Sequence, residues 1–157
     1  MQLRRLQLRS MLLWHIVLRK RLNSMDVLFV CVHNAGRSQM AEAYVNHLAQ
    51  LGGMDVHAES AGTIGGKELN ANALLVMRED GISMAGQTPK LLTQAMADRA
   101  DKIISMGCGV DAAACPAKFL LTEDWELDDP AGQDLDVVRR IRDEIKQRVV
   151  LLLETAR

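Results

Sequence analysis

Three cysteines, an arginine and a pair of aspartates carry the chemistry this chain could do. Cys31 ends the apolar run Val27-Leu28-Phe29-Val30 and is followed by Val32-His33-Asn34-Ala35-Gly36-Arg37-Ser38. Physically this reads as a buried strand, a tight loop and the start of a helix. Such a loop turns its backbone N–H groups inward, and the helix dipole adds partial positive charge. Arg37 adds a planar, always-protonated fork of donors. A tetrahedral oxyanion fits a cradle built from residues Val32, His33, Asn34, Ala35, Gly36, Arg37 and Ser38, with the Cys31 sulfur beneath it. The same field favours thiolate over thiol, and thiolate is the nucleophilic form. Ser38 can donate a further hydrogen bond to that sulfur. A buried, inert cysteine at a strand end is the alternative, but it leaves the glycine, the arginine and the following helix without a role. No lysine follows Gly36, so this is not the nucleotide-binding Gly-Lys-Ser/Thr loop.

A second cluster reads Gly107-Cys108-Gly109-Val110-Asp111-Ala112-Ala113-Ala114-Cys115-Pro116. Seven positions are two helical turns, about 10 Å along a helix axis. A disulfide needs alpha carbons within about 7 Å. Cys108 and Cys115 therefore pair only if the segment departs from a regular helix, and Gly107, Gly109 and Pro116 provide the breakpoints. Structural packing and zinc binding are the alternatives. A structural zinc site usually takes four ligands, and no fourth cysteine or histidine lies nearby, so no metal is assigned. Further on, Asp128-Asp129-Pro130-Ala131-Gly132 could be a plain turn or could place a carboxylate beside the anion.

The elements that must position these groups alternate between strand and helix. Strands are expected at Asp26–Val30, Met54–Ala58, Asp101–Met106 and Lys118–Leu121, with Ser60–Thr63 a loop. Helical periodicity places Met40, Ala41, Tyr44, Val45 and Leu48 on one face, and Gly52-Gly53 stops that helix. Asn70 or Asn72 caps a second helix ending at Gly81. Pro89 opens a short helical segment to about Ala97. Leu135, Val138, Ile141, Ile145, Val149 and Leu152 form the apolar stripe of the last helix. Alternation of this kind implies a parallel sheet covered on both faces. Ligands in such sheets bind beyond the carboxyl ends of the strands, where the Cys31 loop emerges.

Charge is unevenly distributed along the 157 residues. Residues 1–24 hold Arg4, Arg5, Arg9, Arg19, Lys20 and Arg21 and no acid, leaving 13 basic against 20 acidic residues in the remainder, a net of −7. That body is no nucleic-acid binder by charge. The apolar run Met11–Leu18 is too short to span a bilayer, and Arg19-Lys20-Arg21 replaces the small residues of a signal cleavage site. A basic surface helix is one reading of residues 1–24. A translation start at Met25 is the favoured one, leaving 25–157 as a single domain. An odd cysteine count argues against a secreted disulfide framework and for catalytic or redox use in a reducing cytoplasm.

From Cys31 to Arg37, and on through Ser38-Gln39-Met40-Ala41-Glu42, the chain resembles the low-molecular-weight tyrosine phosphatases. More closely it resembles the arsenate reductases of that fold that are recycled by thioredoxin. The resemblance covers about Met25 to the end. It implies an α/β fold of three layers, with a four-stranded parallel sheet ordered 2-1-3-4 and helices on both faces. It also implies catalytic roles for Cys31, Cys108, Cys115, Arg37 and Asp129. Arsenate would bind the loop, Cys31 would attack arsenic, and Asp129 would protonate the departing oxygen. Oxidation would then pass to a Cys31–Cys108 and on to a Cys108–Cys115 disulfide, reduced by thioredoxin. No organic cofactor or metal is required, and a cytoplasmic monomer is expected. Some relatives bind potassium beside the loop. Asn34, Glu42 and Ser60 match their ligand positions, but Lys90 stands where they carry aspartate, so its ammonium is expected to replace the cation. A tyrosine phosphatase is the rival reading, as is a reductase coupled to mycothiol or another small thiol. A non-catalytic binder of arsenite or another soft metal is a third.

Overall fold

The computed structural model describes residues 24–107 and 115–156. The basic extension and Cys108 lie outside them. The element order is β1 (Met25–Cys31), α1 (Arg37–Leu51), β2 (Val56–Gly62), α2 (Ala71–Glu79), α3 (Gln94–Arg99), β3 (Lys102–Ser105), β4 (Glu123–Asp124) and α4 (Leu135–Glu154). All strand pairs are parallel, and the spatial order is β2-β1-β3-β4, the order the resemblance implies.

β1 is central, and successive side chains go to opposite faces. Val27, Phe29 and Cys31 join the apolar sides of α1, α2 and α4 in the larger core, with Met40, Tyr44, Met77, Ile141 and Ile145. Leu28 and Val30 face the smaller core, with Ala61, Leu92, Met96 and Ile103. Among the described residues α3 is the helix of that second face. Trp125 is buried and its ring tilts against Phe29 at a centroid distance of 5.2 Å. The expected stripe of α4 is inward: Val138, Ile141, Ile145, Val149 and Leu152 are all buried. Asn70 caps α2, its side chain accepting from the Ala73 N–H at 2.9 Å. Tyr44 donates to Asp80 Oδ2 at 2.7 Å and Lys146 Nζ reaches the same oxygen at 2.9 Å, tying α1, α2 and α4 together.

Three boundaries differ from the expectations. β2 begins at Val56 and runs to Gly62, because β1 continues far enough to pair Cys31 with Gly62. Ser60-Ala61-Gly62 is therefore strand rather than loop. Lys90–Leu92 is extended, not helical: the Gly62 N–H donates to Lys90 O at 2.7 Å and the Leu92 N–H to Gly62 O at 2.8 Å. Thr93 is the actual cap of α3. The fourth strand is Glu123–Asp124 rather than Lys118–Leu121, since it is Glu123 and Asp124 that stand in register with Ile104 and Ser105. Leu120, which pattern alone would bury, is 91% exposed. Along β2, Asn46 bonds both main-chain groups of Ala58, donating to its carbonyl at 3.0 Å and accepting from its N–H at 2.8 Å.

Candidate functional site

The carboxyl ends of β1 and β3 open onto a cavity of about 510 Å³ lined by residues 31–37, Asn70, Gly107 and 127–131. Cys31 lies at its floor, buried at the strand end. Asn34 takes a left-handed conformation with φ 55°, one that asparagine tolerates better than most residues. This turns its N–H back onto Cys31 Sγ at 3.0 Å. Ser38 Oγ stands 2.9 Å from the same sulfur, as its place after the loop predicts. Opposite these, Arg37 is held in one pose. Its Nη1 donates to the carbonyls of Met106 at 2.9 Å and Leu127 at 2.7 Å, while Nη2 faces Asp129 Oδ2 at 3.7 Å. One guanidinium thus braces the loops leaving β3 and β4 against the loop leaving β1. Two buried carbonyls fix the plane of a cation whose other edge faces the cavity.

A model of the low molecular weight phosphotyrosine protein phosphatases matches residues 26–157. The chain belongs to this family. A glutaredoxin arsenate reductase of Synechocystis sp. is 38% identical over 128 residues, which cover 81% of this chain and 95% of that protein. A solved arsenate reductase in its phosphate binding state superposes with a TM-score of 0.71 at 35% identity, covering 85% of this chain and 99% of the other. A thioredoxin-dependent arsenate reductase of Corynebacterium glutamicum superposes at 0.67 with 36% identity, covering 85% of this chain and 62% of that one.

Within this family member, the structure brings Cys31, Arg37 and Asp129 to one cavity, and the expected loop residues Val32 to Gly36 line it. Ser38 touches the sulfur from the first turn of α1. His33 is exposed, with its main chain in the loop. Asp128 lines the mouth but turns toward Arg140, at 3.8 Å. Cys115 is partly exposed and packs at the edge of the smaller core. Cys108 follows Gly107, which lines the cavity, but is itself outside the described residues.

The cation position next to the loop holds side chains of the protein itself. Lys90 Nζ is 3.4 Å from Glu42 Oε2, and Ser60 Oγ donates to that same carboxylate oxygen. A potassium ion does not fit this arrangement, because the Glu42 charge is already matched by an ammonium.

Sequence reasoning missed four groups here. Asn70 closes the loop from outside, its N–H donating to Ala35 O at 2.7 Å. Gln39, fully buried, donates from Nε2 to Asn34 Oδ1 at 2.8 Å, and Gln87 donates to Gln39 Oε1 at 2.7 Å. The carbonyls that hold Arg37 belong to Met106 and Leu127. Gln39 shares its helix side with the polar Glu42, Asn46 and Gln50, so the pattern gave no signal for it. The others act through main-chain atoms or a loop contact distant in sequence.

Proposed function

We propose that this protein reduces arsenate to arsenite. The observation that carries the reading is the cavity itself: a cysteine sulfur held by the Asn34 N–H and the Ser38 hydroxyl, an arginine fixed by two carbonyls, an aspartate at the mouth, and, among the described residues, no phenylalanine, tyrosine or tryptophan in the lining. A phosphotyrosine ring would find Ala131 and Gly132, which offer no platform, after the Asp129–Pro130 pair, whereas a small inorganic oxyanion needs none. The names of the relatives support the same choice.

In the proposed sequence, arsenate binds the loop amides and Arg37. The Cys31 thiolate attacks arsenic, an As–O bond breaks, and Asp129 supplies the proton with which the oxygen leaves as water. The Cys108 thiolate then attacks Cys31 Sγ. The S–S bond forms, the S–As bond breaks, and the electron pair stays on arsenic, which leaves as arsenite. Cys115 next displaces Cys31 from Cys108, and thioredoxin reduces the resulting disulfide. Each exchange needs an attacking thiolate and an accessible sulfur, and the part-exposed Cys115 suits the last step. The enzyme would work as a monomer in the cytoplasm without a cofactor.

The test is arsenate-dependent NADPH oxidation with thioredoxin and thioredoxin reductase, run against a mycothiol system. Cys31→Ser, Cys108→Ser and Cys115→Ser should each abolish multiple turnover, and Cys31→Ser alone should also remove phosphatase side activity. Full steady-state turnover by Cys115→Ser would take it out of the relay. Faster turnover with mycothiol would replace thioredoxin as the reductant.

A further inference from the structure

We propose that Gln39 and Gln87 are positioning residues that raise the thiolate character of Cys31 through a one-way chain of side-chain amides. The proposal rests on the reading of Cys31 as the nucleophile. Four short contacts make the chain: Gln87 Nε2 to Gln39 Oε1 at 2.7 Å, Gln39 Nε2 to Asn34 Oδ1 at 2.8 Å, Asn34 Nδ2 to Ser38 Oγ at 2.8 Å, and Ser38 Oγ to Cys31 Sγ at 2.9 Å.

Its direction is set by main-chain groups that have only one role. Carbonyls of Thr88 and Asn34 can only accept, and they face Gln39 Nε2 at 2.9 and 3.1 Å. Gln39 therefore presents its oxygen to Gln87. The Gln39 carbonyl in turn takes Gln87 Nε2 at 3.1 Å, which orients that amide as a donor. The Lys90 N–H can only donate, and it points at Asn34 Oδ1 at 2.9 Å, so Asn34 gives its nitrogen to Ser38. With Ser38 Oγ accepting there, its proton is available to Cys31. Every link donates toward the sulfur.

Asn34, Ser38 and Gln39 are fully buried. In such surroundings hydrogen bonds in series polarise one another. A thiolate accepts hydrogen bonds more strongly than a thiol, so donors aimed at the sulfur favour the charged form. Gln87 is only half-buried and lies outside the cavity lining, so it can be changed without touching the oxyanion loop. Among the described residues, the charged and titratable groups facing the sulfur or its supports are Arg37, His33, Asp128 and Asp129 around the cavity and the Lys90–Glu42 pair behind Asn34. Substitution of Gln87 leaves all of them in place.

The test uses the full chain carrying Cys108→Ser and Cys115→Ser, so that Cys31 is the sole thiol. Its alkylation by iodoacetamide is followed from pH 4 to 9, with and without inorganic phosphate. Gln87→Met keeps the volume and removes the donor, and Gln87→Leu repeats the change with another shape. Both should move the alkylation midpoint upward by about half a pH unit, which is about threefold slower reaction below the midpoint. Protection by phosphate should be unchanged. An unmoved midpoint in both variants overturns the proposal, as does a shift matched by lost phosphate protection, which would mean that the loop had been distorted. Arsenate reduction by Cys31→Ser would overturn the underlying nucleophile reading. With Cys31→Ser inactive, an unmoved midpoint overturns the amide chain alone.

Discussion

Gly36 and Pro130 meet across the mouth of the cavity: a β-carbon on Gly36 would stand 2.9 Å from Pro130 Cγ. The prolyl ring is stiff, so an alanine there must displace the turn that carries Asp129. Gly36→Ala should reduce kcat for arsenate at least tenfold, since small misplacements of reacting groups are expensive, while lowering stability by only about 1–2 kcal/mol, as overpacking does. Steady-state kinetics and urea melts separate the two.

Arg37→Lys should fail at both of the arginine's tasks. An ammonium cannot bond the Met106 and Leu127 carbonyls and also present a flat edge to an oxyanion. Turnover should fall about 10²–10³-fold, the usual effect of losing one oxyanion donor. Stability should fall by about 1–3 kcal/mol through the two carbonyls left unmatched. Near-normal kcat with a melting point unchanged from the parent would refute this.

The adjacent aspartates should separate cleanly. Asp129 faces Arg37 Nη2, whereas Asp128 pairs loosely with the exposed Arg140. Asp129→Asn should lower kcat about 10²–10⁴-fold, the range for a lost general acid, with little change in KM. Asp128→Asn should stay within about twofold, because exposed ion pairs contribute little. The reverse pattern in matched kinetic assays would move the acid to Asp128.

Lys90, paired with Glu42, should make the proposed reaction indifferent to potassium. Turnover measured at constant ionic strength should be the same in sodium and potassium salts, and several-fold activation by potassium would contradict the ammonium's role. Lys90→Met should destabilise the fold, because it leaves the Glu42 carboxylate, whose side chain is 15% exposed, without its counter-charge.

Acid should loosen the packing of α1, α2 and α4. Lys146 and then Tyr44 hydrogen-bond the Asp80 carboxylate and hold it below its ordinary value of 3.8. Burial pushes the Tyr44 phenol upward, and its bond to Asp80 adds to that rise, so the tyrosine stays a donor. A carboxylate depressed on folding contributes stability that is fully present above its unfolded pKa and is lost as pH falls through the lower folded value. Thermal melts of the parent and Asp80→Asn should therefore differ above about pH 4 and converge as the pH falls below it. A gap constant across that range would exclude the linkage.

Much of the candidate site is legible in the sequence, because the loop is written in consecutive residues. The run from Val27 to Ser38 states strand, turn and helix start in order, and the spacing of Val138, Ile141 and Ile145 states the buried face of α4. What was not legible depends on partners far along the chain. Ser60-Ala61-Gly62 looks like a loop by composition and becomes strand because β1 offers it a partner. Lys118–Leu121 has strand-like residues, yet Glu123 and Asp124 hold the register with β3. Gln39 gives no sign that Gln87, in a separate loop, will complete its bonds. Local pattern decides where an element can form, and tertiary pairing decides where it stops.

The margins of the sheet have a consequence for crowding. Parallel sheets that leave a flank open invite a neighbour to extend them. Here one flank is a stub of two acidic residues, Glu123 and Asp124. On the other, Asn46 occupies both main-chain groups of Ala58, and the Lys90–Leu92 stretch occupies those of Gly62. A second molecule arriving side-on would meet two carboxylates at one rim and, at Ala58 and Gly62 on the other, main-chain groups already bonded.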